Sequence, residues 1–156
     1  MGTVSAADPS LAAGDLKVAI VAARYNEQIV EQLLAGARAA WAARGGSESA
    51  LRIEHVPGAF ELPLAARQLA LSGAFNAVVA LGCVIRGETA HFEYVAGECA
   101  RGLQQVMLQT GVPVSFGVLT TETLQQAEQR AAPGPHNKGA EAIDTAIAMA
   151  RLLRRI

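Results

Sequence analysis

At 156 residues the chain has the length of one ordinary domain, enough to bury a substantial core. Its formal net charge of -1 excludes a global basic field that would gather nucleic acid or anionic lipid. Apolar residues make up 51% and aromatics only 4%, which suits closely packed helices on a sheet, and no apolar run approaches the roughly 18 residues of a membrane span.

Residues 1–14 are small and polar, with Pro9, and lack the basic start and apolar stretch of a secretory signal. They are expected to form a mobile leader before a single domain over residues 15–156. Residues 16–23 (LKVAIVAA) form a short, continuously apolar run, the mark of a strand buried on both faces. Residues 27–44 place Ile29, Val30, Leu33, Leu34, Ala37 and Trp41 at helical spacing, and Gly45-Gly46 stops that helix. A second strand is expected over residues 50–56, ended by Pro57-Gly58. Residues 60–71 read as a helix with Pro63 tolerated in its first turn.

Residues 77–81 (AVVAL) are the third buried run. After a polar, glycine-bearing stretch, Val95, Cys99, Leu103, Val106 and Met107 mark another amphipathic helix. Residues 112–119 form the fourth strand, and residues 123–132 and 139–155 the last two helices, separated by Pro133-Gly134-Pro135-His136-Asn137. Strand and helix alternate four times and one helix follows. That order predicts an α/β fold with a four-stranded parallel sheet in a three-layer α/β/α sandwich. Cys83 and Cys99 are too few for a disulfide framework or a Cys-rich zinc site, and read as reduced thiols of a cytoplasmic protein.

Open parallel sheets bind ligands beyond the carboxyl ends of their strands. The unusual residues of this chain collect there. Strand one runs into Arg24-Tyr25-Asn26, strand two into Pro57-Gly58-Ala59-Phe60-Glu61, and strand four, carrying Phe116, into Thr120-Thr121-Glu122. Strand three runs into residues 82–91 (GCVIRGETAH), which we read as part of a small-molecule active site. Each residue also has a plain structural reading. Tyr25 can cap the core or stack on a flat heterocycle, and Asn26 is placed to cap the next helix. Glu61 can simply favour a helix dipole, or with Gly58 and Ala59 hold the polar edge of a planar ring.

Arg86-Gly87-Glu88-Thr89 is either a surface turn or an anion cradle at a helix start. It has neither nucleotide-loop spacing, so a phosphorylated small molecule fits it better than a nucleotide. His91 follows directly; imidazole takes and gives protons near neutrality, although a lone histidine more often packs or caps. A Cys83–His91 nucleophile pair ranks below a packing role for the thiol. Arg130 and Lys138 flank the last loop and by default are solvated. Three scattered histidines give no metal site, and His55 and His136 have no assignable role.

Together these stretches resemble the lumazine synthase family of riboflavin biosynthesis. The resemblance is carried by Ala23-Arg24-Tyr25-Asn26, by residues 56–63 (VPGAFELP) and 81–95 (LGCVIRGETAHFEYV), by residues 116–122 (FGVLTTE), by residues 126–130, and by Asn137-Lys138-Gly139. It covers nearly everything after the leader, in order. It implies a flavodoxin-like fold and condensation of 5-amino-6-(D-ribitylamino)uracil with 3,4-dihydroxy-2-butanone 4-phosphate to 6,7-dimethyl-8-ribityllumazine, releasing phosphate and water, without cofactor or metal.

By the same resemblance Tyr25 would stack on the uracil, and Ala59, Phe60 and Glu61 would hold the ribityl chain. Cys83, Val84 and Ile85 would contact the pyrimidine. Glu88 and Thr89 would bind phosphate with Arg130, Lys138 would lie near it, and His91 would shuttle protons. Phe116, with Arg130 a candidate beside it, would arrive from a neighbouring subunit of a homo-oligomer, either a pentamer or a shell of twelve pentamers, so that a lone monomer would be inactive. The chain departs from many shell-forming relatives at Gly134-Pro135-His136-Asn137, so the pentamer is the firmer expectation. The rival functions are an archaeal-type riboflavin synthase, disfavoured by the Arg86–Thr89 stretch and His91, and a non-catalytic flavin-binding or shell protein. Neither nucleic acid nor a membrane is an expected partner.

Overall fold

Runs of small aliphatic side chains with no polar face can be buried only between two layers, and that is where β1 (Val18–Ala23) and most of β3 (Ala77–Ile85) lie. Every residue of β1 is buried. A computed structural model, describing residues 11–156, pairs β1 on one side with β2 (Leu51–Val56) and on the other with β3, which pairs in turn with β4 (Val114–Thr121). The order is β2-β1-β3-β4 and every pairing is parallel. The two edge strands show a different pattern: β2 is only partly buried, and β4 exposes Phe116 and Thr120.

Helices α1 (Glu27–Ala43), α4 (Leu124–Ala131) and α5 (Lys138–Leu153) share one hydrophobic cluster with one side of the sheet. Helices α2 (Leu62–Leu71) and α3 (His91–Thr110) share a second cluster with the other side. This is the expected three-layer, flavodoxin-like α/β/α sandwich. The α1 stripe is the one its spacing predicts, ending in Trp41, whose indole Nε1–H donates to Ser47 O at 2.8 Å. Burying each such large side chain contributes about 1.5–3 kcal/mol.

Helices α1 and α5 meet closely because Gly139 has no side chain: a Cβ there would sit 1.9 Å from the Leu33 carbonyl oxygen. The contact is reinforced by a two-pronged ion pair, Arg44 Nε and Nη2 to Asp144 at 2.9 and 2.7 Å. Asn137 is buried at this junction. Its Oδ1 accepts from the Gly139 and Ala140 amides, capping α5, while its Nδ2 donates to Ala131 O at 2.7 Å and Gln32 O at 3.1 Å.

Several element boundaries differ from the expectations, the fourth strand among them, which runs two residues later at both ends. β3 runs past Gly82 to Ile85, because Gly82, Cys83 and Ile85 stay in register with Val118, Leu119 and Thr121 of β4. The second helix begins as a 3-10 turn, Ala59–Glu61, before α2, with proline in the first turn as predicted. The leader expected over residues 1–14 also needs correcting. Residues 1–10 lie outside those described, but Leu11 and Ala13 are core residues, and the Ala13 amide donates to Arg44 O at 2.9 Å. Asp15 follows, ion-paired to Arg151 and Arg154 at the end of α5. The packed chain therefore begins by Leu11, because a leucine and an alanine within the polar stretch find a niche beside α1.

Candidate active site

From β1 the chain moves outward to β2, then crosses back to β3 on the far side of β1. The connections leaving β1 and β3 thus diverge, and a crevice opens between their carboxyl ends. Asn26 bridges it. The residue sits in the left-handed region (φ 57°), and its side-chain Nδ2 donates to Cys83 O at 2.8 Å. Asn26 does occupy the N-cap position of α1, but its side chain makes no capping bond and ties β1 to β3 instead.

Beside it the Arg24 and Tyr25 amides both donate to Pro57 O, at 3.2 and 3.1 Å, which fixes the backbone beneath the tyrosine. The Tyr25 ring is 69% exposed and lies over Gly58, where a Cβ would come within 2.6 Å of ring Cδ2. The glycine is therefore needed for close approach. The result is a supported aromatic face standing at the mouth of a cavity of about 430 Å³. Glu61 is held in place as well: its Oε2 accepts from the Gly58 amide at 2.9 Å, closing the turn that carries Ala59 and Phe60. Cys83, Val84 and Ile85 form the β3 wall, and His91, at the start of α3, also lines the cavity.

The Cys83 thiol is buried, and burial pushes it up to about 11, so it stays protonated at neutral pH and is unsuited to nucleophilic attack. Cys99, enclosed under α3, is pushed to about 12 for the same reason. The cavity's other titratable side chains are those of Tyr25, Glu61, His91 and Tyr94. Sequence reasoning missed Tyr94 and Val95, which line the cavity one helical turn beyond His91. The i+3 and i+4 spacing was the available signal.

The loop between β3 and α3 stands at the rim. Glu88 and Thr89 are exposed on it, outside the cavity lining, and the His91 amide reaches Thr89 Oγ1 only at 3.4 Å. Arg86 is already occupied: it pairs with Glu93, its Nε donates to Glu122 at 2.7 Å, and its guanidinium lies 4.3 Å above the Phe92 ring centre. Those carboxylates hold Arg86 firmly protonated, and Arg86 in turn lowers the Glu93 carboxyl.

The remaining expected site residues do not reach this cavity within one chain. Phe116, 47% exposed on β4, lines a separate groove of about 550 Å³ together with Arg130 and Lys138. Arg130 Nη1 donates to the Gln126 carbonyl at 2.9 Å, while Lys138 Nζ contacts both oxygens of Glu141 at 2.8 Å. His55, unassigned from sequence, has Nε2 at 3.7 Å from Glu31. Among the described residues no group of three or more His, Cys, Asp or Glu is arranged to hold a metal, and no helix is long and apolar enough to cross a membrane.

Known proteins match this chain along nearly its whole length. The family model described as 6,7-dimethyl-8-ribityllumazine synthase matches residues 15–154. Two relatives named 6,7-dimethyl-8-ribityllumazine synthase, from two strains of Thermus thermophilus, are each 53% identical over 148 residues, covering 95% of this chain and 94% of theirs. A match of that extent, on a sheet whose crevice carries Tyr25, Glu61 and His91, places the chain in the 6,7-dimethyl-8-ribityllumazine synthase family.

Proposed function

We propose that the chain is a transferase of riboflavin biosynthesis that condenses 5-amino-6-(D-ribitylamino)uracil with 3,4-dihydroxy-2-butanone 4-phosphate, giving 6,7-dimethyl-8-ribityllumazine with loss of phosphate and water. The observation that carries this reading is the crevice itself: an aromatic face, a β-strand wall and one imidazole around a cavity of about 430 Å³. The uracil stacks on Tyr25, its polar edge along the backbone of Cys83, Val84 and Ile85. Its ribityl chain runs toward Ala59, Phe60 and Glu61. The phosphate of the second substrate lies against Glu88 and Thr89 on the loop, where backbone amides suit an anion.

The uracil's amine attacks the ketone, and water leaves to form an imine. Proton removal expels phosphate and leaves an enol, which tautomerises to a ketone; the ribitylamino nitrogen attacks that carbonyl, and a second water leaves as the ring closes. Each of these steps moves a proton, and His91 supplies and accepts it. Orientation of the two substrates and stabilisation of the departing phosphate provide the rest of the rate enhancement.

Phe116, Arg130 and Lys138, which we assign to the other half of the site, line a groove elsewhere on the same chain. A homo-oligomer that sets one subunit's groove against the next subunit's crevice joins the two halves, and a cyclic pentamer in the cytoplasm is the assembly we favour. Co-assembly tests both claims. His91→Ala and Arg130→Ala chains are denatured, mixed in equal amounts and refolded together. With sites shared between neighbours, about a quarter regain both intact halves, so activity at butanone phosphate far below its KM returns to about a quarter of wild type. No recovery, with both variants folded and assembled, refutes the shared site. Consumption of lumazine in the absence of the two substrates refutes the reaction.

A further inference from the structure

The loop between β3 and α3 has few bonds of its own. Apart from the long His91–Thr89 contact and a Glu93 amide to Ala90 O bond of 3.2 Å, its position depends on what grips its two ends. That grip converges on one side chain. The Arg86 amide donates to Thr121 O at 2.9 Å, so the loop's first residue is anchored to the end of β4. Its guanidinium then reaches Glu122, just beyond β4, and Glu93, in the first turn of α3 two residues past His91. The Phe92 ring supports its face. Only a planar fork can meet two carboxylates along its edges while stacking on a ring; an ammonium cannot.

We propose that Arg86 is a positioning residue: by joining Glu93 to Glu122 it holds the first turn of α3, and with it His91 and the Thr89 backbone, at a fixed height over the crevice. The inference rests on reading residues 87–91 as the phosphate and proton-transfer segment. It assigns functions to Glu93 and Glu122 that neither has as a substrate contact. It also fixes the sign of the local field. One guanidinium between two carboxylates leaves a formal charge of about -1, which repels an incoming phosphate, so Arg86 braces the anion loop without serving as an anion ligand.

The two roles make opposite predictions for the carboxylates. Steady-state KM and kcat are measured for both substrates with Arg86→Gln, Arg86→Lys, the Glu93→Gln/Glu122→Gln double variant, and the combination of Arg86→Gln with that double. For a brace, Arg86→Gln and the carboxylate double variant move together. Each lowers kcat/KM for the butanone phosphate roughly tenfold to a hundredfold, leaves the uracil KM within about twofold, and adds little to the other when combined. Arg86→Lys recovers only part of the loss. If the carboxylate double variant instead tightens the butanone phosphate while Arg86→Gln weakens it, Arg86 is a direct ligand and the brace is refuted. Unchanged kinetics accompanied only by a lower Tm also refute it, since the network would then be purely structural. Thr89→Val separates failure of the brace from failure of the site reading. A raised butanone phosphate KM in Thr89→Val with none in Arg86→Gln overturns the brace alone; no effect in either overturns the phosphate assignment as well.

Discussion

The crevice at the ends of β2, β1 and β3 and the groove beside β4 are built on opposite plans. The crevice gains its shape from backbone bonds: Pro57 O under Tyr25, Cys83 O receiving Asn26, and the Gly58 amide capped by Glu61. No lysine or arginine lines it. The groove carries two cations, and both are restrained by partners on their own helices, Arg130 by the Gln126 carbonyl and Lys138 by Glu141. One region is suited to a flat neutral heterocycle and the other supplies charge. A single chain thus displays two surfaces of complementary character, and the shared site proposed above joins them.

The sharpest way to break this comparison is His91→Ala, which removes the crevice's proposed proton shuttle. We expect kcat to fall about a hundredfold with both KM values within about threefold, read in a two-substrate steady-state assay. Loss of binding in place of turnover would show that the imidazole holds substrate. Next is Arg130→Ala in the groove. Removing a charge-assisted bond worth about 2 kcal/mol raises the butanone phosphate KM about thirtyfold and spares the uracil KM. An equal effect on both substrates would erase the distinction between the regions.

Gly58→Ala probes the crevice from below. The added methyl displaces the Tyr25 ring, so the uracil KM rises about three- to tenfold while the butanone phosphate KM holds. Isothermal titration with the uracil alone checks it. The smallest effect comes from a site belonging to neither region. Arg151 and Arg154 hold Asp15 at about 2, below its usual 3.8. A depressed carboxylate stabilises the fold above about pH 4 and loses that contribution as pH falls through 2. Asp15→Asn should therefore be slightly less stable than wild type at pH 6, with urea midpoints converging toward pH 2, and kinetically silent throughout. An altered KM would mean that this tie reaches the site.

What is legible in the sequence follows short-range rules. Apolar runs locate the strands, helical spacing gives the α1 stripe, and residues at the strand ends name the crevice wall. Less legible is anything decided by register or distance along the chain. Gly82 reads as a stop, yet pairing with Val118 carries β3 through it. Asn26 reads as a cap, but the acceptor its side chain finds is 57 residues away on Cys83. Arg86 reads as part of an anion cradle because Glu122, its partner 36 residues on, cannot be paired with it from one sequence. The separation of Phe116, Arg130 and Lys138 from the crevice follows from the family resemblance for Phe116, with Arg130 a candidate beside it. It is legible from the residues alone for none of the three.

Asn137 has a consequence for how this chain can change. Its side chain joins the end of α4, the middle of α1 and the first amides of α5 in one buried knot, immediately before Lys138. The preceding residues, 132–136, are all exposed. The knot therefore acts as an insulator: substitutions or added residues in that outer loop are absorbed before they reach Lys138. A surface segment is left open to evolutionary drift while the groove beside it keeps its shape.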